Sequence, residues 1–151
     1  MQTVGNEADI AAKMKTNRDL FFDLYDNCFD MVYRYAVRRV GHSDYLKRLV
    51  NRTFYRAYHQ LDRFFDEKVL FSTWILKNAK IVADEMGAPM RGDVDKAFID
   101  LEQDDFEMVL FKVFEGLPDS EISYVLGVEE GAFTPLYYRL LSRLKDKLNA
   151  N

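Results

Sequence analysis

A single cysteine, Cys28, leaves no partner for an internal disulfide, and with only two histidines, His42 and His59, beside it the chain lacks the donors of a Cys/His zinc cluster. At helical spacing Cys28 reads as a small core residue. No apolar run approaches the ~18 residues of a membrane span, and no basic start leads into an apolar stretch, so the sequence predicts a cytoplasmic protein with no membrane partner. Prolines number three and glycines seven in a chain that is 48% hydrophobic and 15% aromatic, which argues for packed cores over disorder. Missing as well are HExxH, a phosphate-cradling Gly-rich loop and Gly-x-Ser-x-Gly, and neither histidine has a nucleophile near it in sequence. No catalytic activity, cofactor or metal is expected.

What is present is helical periodicity from end to end. Leu20, Leu24, Cys28, Met31 or Val32 and Tyr35 form one stripe on a helix from Asn17 or Asp19 to Val40, which Gly41 stops. A second helix begins at Ser43 or Asp44, both good N-caps, and carries Leu46, Leu49, Val50, Thr53, Phe54, Ala57, Tyr58 and Leu61. A third, from Phe71 to Met86, buries some of Phe71, Trp74, Ile75, Ala79 and Val82 and leaves Lys77 and Lys80 on another face. GAPMRGD, residues 87–93, then breaks the pattern. Beyond it the pattern predicts a short turn of helix around Ala97 to Leu101, a helix from Asp104 to Glu115, one capped at Asp119 or Ser120 and closed by Leu126-Gly127, and a last one from Glu129 to Leu148. That last helix should bury Phe133, Tyr137, Leu140, Leu144 and Leu148. No segment has the two-residue period of a strand. The expected fold is all-α, in two small helical domains: residues 1–86, a linker 87–96, and residues 97–151.

Charge divides the chain too. Residues 1–91 hold 15 Lys and Arg against 12 Asp and Glu, a net of +3, while residues 92–151 hold 6 against 13, a net of −7. The acidic run DLEQDDFE, residues 100–107, could offer carboxylates to Mg²⁺, but such runs are more often a solvated helix start favoured by the helix dipole. On the second helix, Arg48, Arg52 and Arg56 share a face with Tyr55 and His59. That face reads either as solvated surface or as a binding surface for an acidic partner or a nucleic-acid phosphate.

Several words of the sequence, in order, carry a resemblance: LYDNCFDMVYRYAVRRVG at 24–41, LVNRTFYRAYHQLDRF at 49–64, FSTWILKNAKIVADE at 71–85, AFIDLEQDDFEMVLFKVFEGL at 97–117 and DSEISYVLGVEEGAF at 119–133. Together they resemble the extracytoplasmic-function (ECF) group of the sigma-70 family, which consists of region 2 and region 4 joined by a linker. The resemblance implies a region 2 bundle that binds the clamp of RNA polymerase and opens the minus-ten element. It also implies a region 4 helix-turn-helix that reads the minus-thirty-five element and meets the polymerase flap. Implied partners are the RNA polymerase core and promoter DNA, with an anti-sigma factor as a further candidate. By the same resemblance the DNA-contacting positions are Phe71, Trp74, Lys77, Lys80 and Arg91 in the first domain and Thr134, Tyr138, Arg139 and Arg143 in the second. The polymerase- or regulator-binding positions are Lys47, Arg48, Asn51, Arg52, Tyr55 and Arg56. By spacing alone, Phe71 and Trp74 read as core.

Three departures from the family pattern all fall on contact surfaces. Where the family has acidic residues around a Leu-Val pair, Lys47 and Arg48 precede Leu49-Val50 and Arg52 follows. Residues 86–91, MGAPMR, keep one cation where the family has a basic run, which lowers the expected phosphate affinity. On the last helix, Ala132, Phe133, Thr134 and Pro135 replace basic and hydrogen-bonding positions, and Pro135 predicts a kink or a late helix start. Two roles therefore stay open: an initiating sigma factor, and a sigma-like adaptor or decoy that binds an anti-sigma factor or another regulator without reading promoter DNA.

Overall fold

The computed structural model describes residues 4–87 and 103–149, and among the described residues every regular element is a helix. They are α1 (Val4–Lys13), a 3₁₀ turn (Arg18–Leu20), α2 (Phe21–Val40), α3 (Asp44–His59), α4 (Leu61–Phe65), α5 (Phe71–Met86), α6 (Gln103–Val109), α7 (Asp119–Leu126) and α8 (Glu130–Asn149). After α6 the chain widens into a π-helical stretch over Leu110–Phe114. The boundaries follow local chemistry. Ser43 Oγ accepts from the Tyr45 amide at 3.2 Å and starts α3. Gly41 ends α2 at φ 67° and Gly127 ends α7 at φ 72°, a left-handed backbone that costs glycine nothing.

Helices α2, α3 and α5 pack as a bundle, with α1 against α2 and α5. The expected stripes face inward: Leu24, Cys28, Val32 and Tyr35 on α2, Leu49, Val50, Thr53, Phe54 and Ala57 on α3, and Phe71, Trp74, Ile75, Ala79 and Val82 on α5 are all buried. Thr53 is tolerated there because its hydroxyl donates back to the Leu49 carbonyl at 2.8 Å. Phe71 meets Phe21 and Phe64 edge-on, at centroid distances of 5.9 and 5.1 Å, with Trp74 at 5.8 Å. In the C-terminal group, Phe106, Leu110 and Phe111 from α6 and the π-helical stretch, Ile122 and Val125 from α7, and Phe133, Leu140 and Leu144 from α8 form the apolar interior. The two groups touch: α7 lies against α5, and one continuous cluster of buried side chains runs through both.

Four features differ from the sequence reading. Helix α1 was not foreseen, yet it seats Met14 in the core with no exposed surface. The second helix stops at His59 because Gln60 leaves helical geometry, at φ −118° and ψ 21°, so Leu61 is buried from the separate helix α4. Helix α8 begins at Glu130 and runs through Pro135, so there is no late start; proline there removes one hydrogen bond, to the Gly131 carbonyl, near the helix entry. Tyr137 is half-buried, its ring stacked on Phe133 at 5.7 Å. Apart from Gly87, the linker 87–96 lies outside the described residues, as do Arg91, the turn at 97–101 and the side chain of Leu148.

Candidate nucleic-acid and partner interface

The helix that should meet DNA, α5, is covered by the C-terminal group. Phe71 and Trp74 are 1% and 5% exposed and packed among bundle aromatics. Lys77 is half-buried, its ammonium 4.3 Å from the centre of the Tyr124 ring on α7. Two further bonds tie the groups together: Thr73 Oγ1 donates to Glu121 at 2.7 Å, and the Tyr124 hydroxyl donates to Glu67 at 2.8 Å. Burial and the Glu67 carboxylate push the Tyr124 phenol well above its ordinary pKa.

Lys80 is buried as well, in an ionic cluster that spans the interface. Its ammonium donates to Asp84 at 3.0 Å, one turn along α5, and to Glu107 of α6 at 3.2 Å. Arg39, 4% exposed on α2, reaches the same two carboxylates at 3.0 and 3.3 Å. The Tyr35 hydroxyl donates to Glu107 at 2.7 Å and accepts from Arg39 at 3.0 Å. Glu107 has no exposed surface, so three donors from the bundle converge on one carboxylate from the C-terminal group. Burial opposes the charge on Lys80, but Glu107 and Asp84 outweigh it and raise its pKa above the ordinary lysine value. Burial, then the Glu107 charge, holds the Tyr35 phenol neutral far above its ordinary range. Nearby, Arg34 makes a two-pronged bond to Glu115, with oxygens 2.9 to 3.3 Å away, and Arg38 lies 4.4 Å from the centre of the Phe114 ring.

On α3 the cationic face is open. Lys47, Arg48, Asn51, Arg52 and Tyr55 are exposed, Tyr55 at 69% with the His59 ring centre 4.3 Å from its own and tilted by 50°. Arg56 is drawn inward, donating to Asn78 Oδ1 at 3.0 Å with Glu85 at 3.8 Å. Two hollows flank this helix: a groove of about 440 Å³ between α2 and α3, lined by Phe29, Tyr33, Leu46, Lys47, Val50 and Asn51 among others, and a smaller one of about 260 Å³ toward α5 containing Arg52, Tyr55 and Arg56. The predicted partner positions thus form one surface, with Arg56 at its inner edge.

On α8, Thr134, Tyr138 and Arg139 are exposed, with Tyr138 at 66% and Leu141 at 37%. Arg143 bonds Asp105 at 2.8 Å. The outer face of the second helix of the helix-turn-helix therefore presents aromatic and aliphatic groups and few cations. Such a face gains little from phosphate neutralisation.

No family model matches the chain. An ECF RNA polymerase sigma factor of Streptomyces coelicolor, BldN, is 28% identical over 156 residues, covering 83% of this chain. The described helices superpose on CnrH, solved in complex with the cytosolic domain of CnrY, with a TM-score of 0.72 over 96% of this chain and 98% of that one, at 19% identity. The chain is thus similar in sequence to an ECF RNA polymerase sigma factor. It spans 59% of the length of BldN. A structure of the RsbN–BldN complex aligns with 91% of this chain at 29% identity and a TM-score of 0.44.

Sequence reasoning missed the Glu107 cluster, although its signals were present. Arg39 sits four residues after Tyr35 on the buried stripe of α2, and Glu107 stands between Phe106 and Met108, both buried. The acidic run was read as solvated; at Glu107 that is corrected, because cations from α2 and α5 meet it inside. Among the described residues no group of carboxylates or histidines suits a metal ion.

Proposed function

We propose that this protein is an ECF-type sigma factor that binds core RNA polymerase and directs it to promoter DNA. The observation that carries this reading is the order of family-like segments along the whole chain, together with a fold shared with CnrH across both helical groups. In this reading α1–α5 form a region 2 domain and α6–α8 a region 4 domain, joined through residues 87–96, and the protein works in the cytoplasm. Lys47, Arg48, Asn51, Arg52, Tyr55 and Arg56 engage polymerase, and their cationic character calls for an acidic matching surface on the clamp. Lys77, Thr134, Tyr138, Arg139 and Arg143 approach DNA once α5 is uncovered. Phe71 and Trp74 support α5 from within. The test is binding of the purified chain to core polymerase of its own source at low salt, followed by promoter-specific transcription in a reconstituted reaction. Failure to bind, with no inhibitor present, refutes the reading.

A second reading, a sigma-like adaptor or decoy, is favoured by one specific observation: the exposed Tyr138 and Leu141 occupy the outer face of α8 where a groove reader needs cations. In that case an anti-sigma factor or another regulator is the main partner, since CnrH was solved bound to a domain of CnrY. Transcription from a defined promoter in the reconstituted assay rules it out as the main role.

A further inference from the structure

Helix α8 presents one continuous exposed stripe. By helical spacing, Gly131, Thr134, Tyr138, Leu141, Ser142 and Lys145 follow a line along its outer side, opposite the buried Phe133, Leu140 and Leu144. All six are exposed, Tyr138 at 66%. The middle of the stripe is apolar, with small residues on both sides of the Tyr138 ring. Gly131 has no reason within its own helix: a Cβ there would meet no atom within 4 Å, and alanine would favour the helix more. A surface that another backbone or side chain approaches closely does make use of such a gap.

Charge along the stripe has a direction. Glu130 opens the helix, and Arg139, Arg143 and Lys145 stand in its second half. Glu130 lies about 12 Å before Tyr138 along the axis and Lys145 about 10.5 Å after it. Helical spacing puts both on one flank of the Tyr138 line and Asp146 on the other. A two-fold axis at Tyr138 turns a second α8 end for end and keeps each flank against its like. That operation sets Tyr138 on its own copy, Gly131 beneath the stem of the partner's Lys145, and the ammonium of that lysine near Glu130, twice over. A parallel pairing would set like charge on like.

We infer that the outer face of α8 is a self-association surface, and that its occupant is the α8 of a second copy of this chain, packed antiparallel. Two Tyr138 rings meet at the axis, Leu141 flanks them, and a Glu130–Lys145 pair closes each end. The inference goes beyond the sigma reading and does not depend on it. Within that reading the pairing covers Thr134 and Tyr138, so only the single chain can lay α8 in a groove.

The test is sedimentation equilibrium of the full chain from roughly 5 to 500 µM, because so small a patch belongs with weak interfaces. Roughly 0.15 M salt screens the long-range repulsion of two acidic C-terminal groups. The unaltered chain should pass from monomer to dimer across that range. Tyr138 meets its own copy, so a charge of either sign there repels itself, and Tyr138→Glu and Tyr138→Arg should both weaken the dimer at least about tenfold. A different partner of fixed charge would tolerate one of the two signs. Glu130→Lys and Lys145→Glu should each weaken the dimer about fivefold, since each change spoils two symmetric pairs. The variant carrying both exchanges the charges and should return to within about twofold of the unaltered chain. Each swap also opposes the helix dipole, so the melting temperature should fall further in the double variant. Association that recovers against that trend separates an interface from a loss of stability, and circular dichroism confirms that each variant is helical. A chain that stays monomeric throughout the range overturns the inference and leaves this face to DNA or to a different protein. A dimer indifferent to Tyr138, a loss for only one sign at Tyr138, or a double variant no tighter than the single ones overturns it too.

Discussion

Replacing Glu107 with leucine should cost more stability than any surface change, and the structure sets the size. The carboxylate is fully buried and accepts from Lys80 at 3.2 Å, Arg39 at 3.3 Å and Tyr35 at 2.7 Å. At 3.2 Å and an effective dielectric constant of about 20, the Lys80 attraction alone is about 5 kcal/mol. Part of that is offset because the stranded cations still have Asp84. A net loss of about 3 to 5 kcal/mol is expected, the range for breaking one side of a buried pair. A double variant gives a sharper form. Adding Lys80→Met to Glu107→Leu also removes the cation that faces Glu107, while Arg39 keeps Asp84. The double variant should therefore recover at least about 1.5 kcal/mol of the loss, since a buried pair replaced by well-packed apolar groups is often near neutral. Urea unfolding followed by fluorescence of Trp74, the single tryptophan and 5% exposed, reads both numbers. A loss under about 1 kcal/mol for Glu107→Leu, or a double variant no better than the single one, refutes the buried network as a source of stability.

Other outcomes follow from the same geometry. Tyr35 and Lys80 both have pKa values raised above their ordinary 10.0 and 10.5, so the protonated forms stabilise the fold below those values and the contribution is lost as pH rises beyond them; urea midpoints should be level from pH 7 to about 9.5 and fall by pH 11, and a rise instead would contradict the assignment. Phe71→Ala should cost about 3 to 5 kcal/mol, because a ring that touches Phe21, Phe64 and Trp74 is removed from a site 1% exposed; circular dichroism during denaturation measures it. Arg48→Glu with Arg52→Glu should change stability by less than about 0.5 kcal/mol, both being exposed, yet lower polymerase affinity at least about tenfold in a binding assay. Arg143→Ala removes a half-exposed pair with Asp105 and should cost no more than about 1 kcal/mol in the same unfolding assay.

How much of this was legible in the sequence depended on the range of the interactions. Helices α2, α5, α7 and α8 were readable because apolar spacing and Gly stops act within a few residues, and Phe71–Met86 was placed to the residue. Helix α1 was not, because its burial rests on Ala11 and Met14 meeting side chains far along the chain. The cationic face of α3 was legible as a helical face, and four of its five basic or aromatic members remain open. Lys80 was expected beside Lys77 on a DNA-facing side of α5, and the structure instead buries it against Asp84 and Glu107. What spacing could not supply is the partner that arrives from α6, since the contact joins residues 27 apart across the linker. Pairings of that kind depend on how two groups dock, and no local pattern encodes docking.

In the proposed role, docking also orders the two binding events. Arg48, Arg52 and Tyr55 on α3 are exposed while α7 still covers α5, so a protein partner can engage the closed chain. If Lys77 contacts DNA as proposed, it must first be released from Tyr124, and apparent DNA affinity is then the intrinsic affinity scaled by the open fraction. A buried ionic cluster and an aromatic–cation contact both favour the closed form. A partner that binds α3 and also favours the open arrangement therefore raises DNA affinity by the factor through which it raises the open population. DNA must in turn tighten the hold of that partner by the same factor. Measuring the affinity of the α3 partner with and without a short single strand tests this reciprocity. An unchanged affinity would mean that the α3 surface and the α5 face act independently, and that opening is driven by the nucleic acid alone.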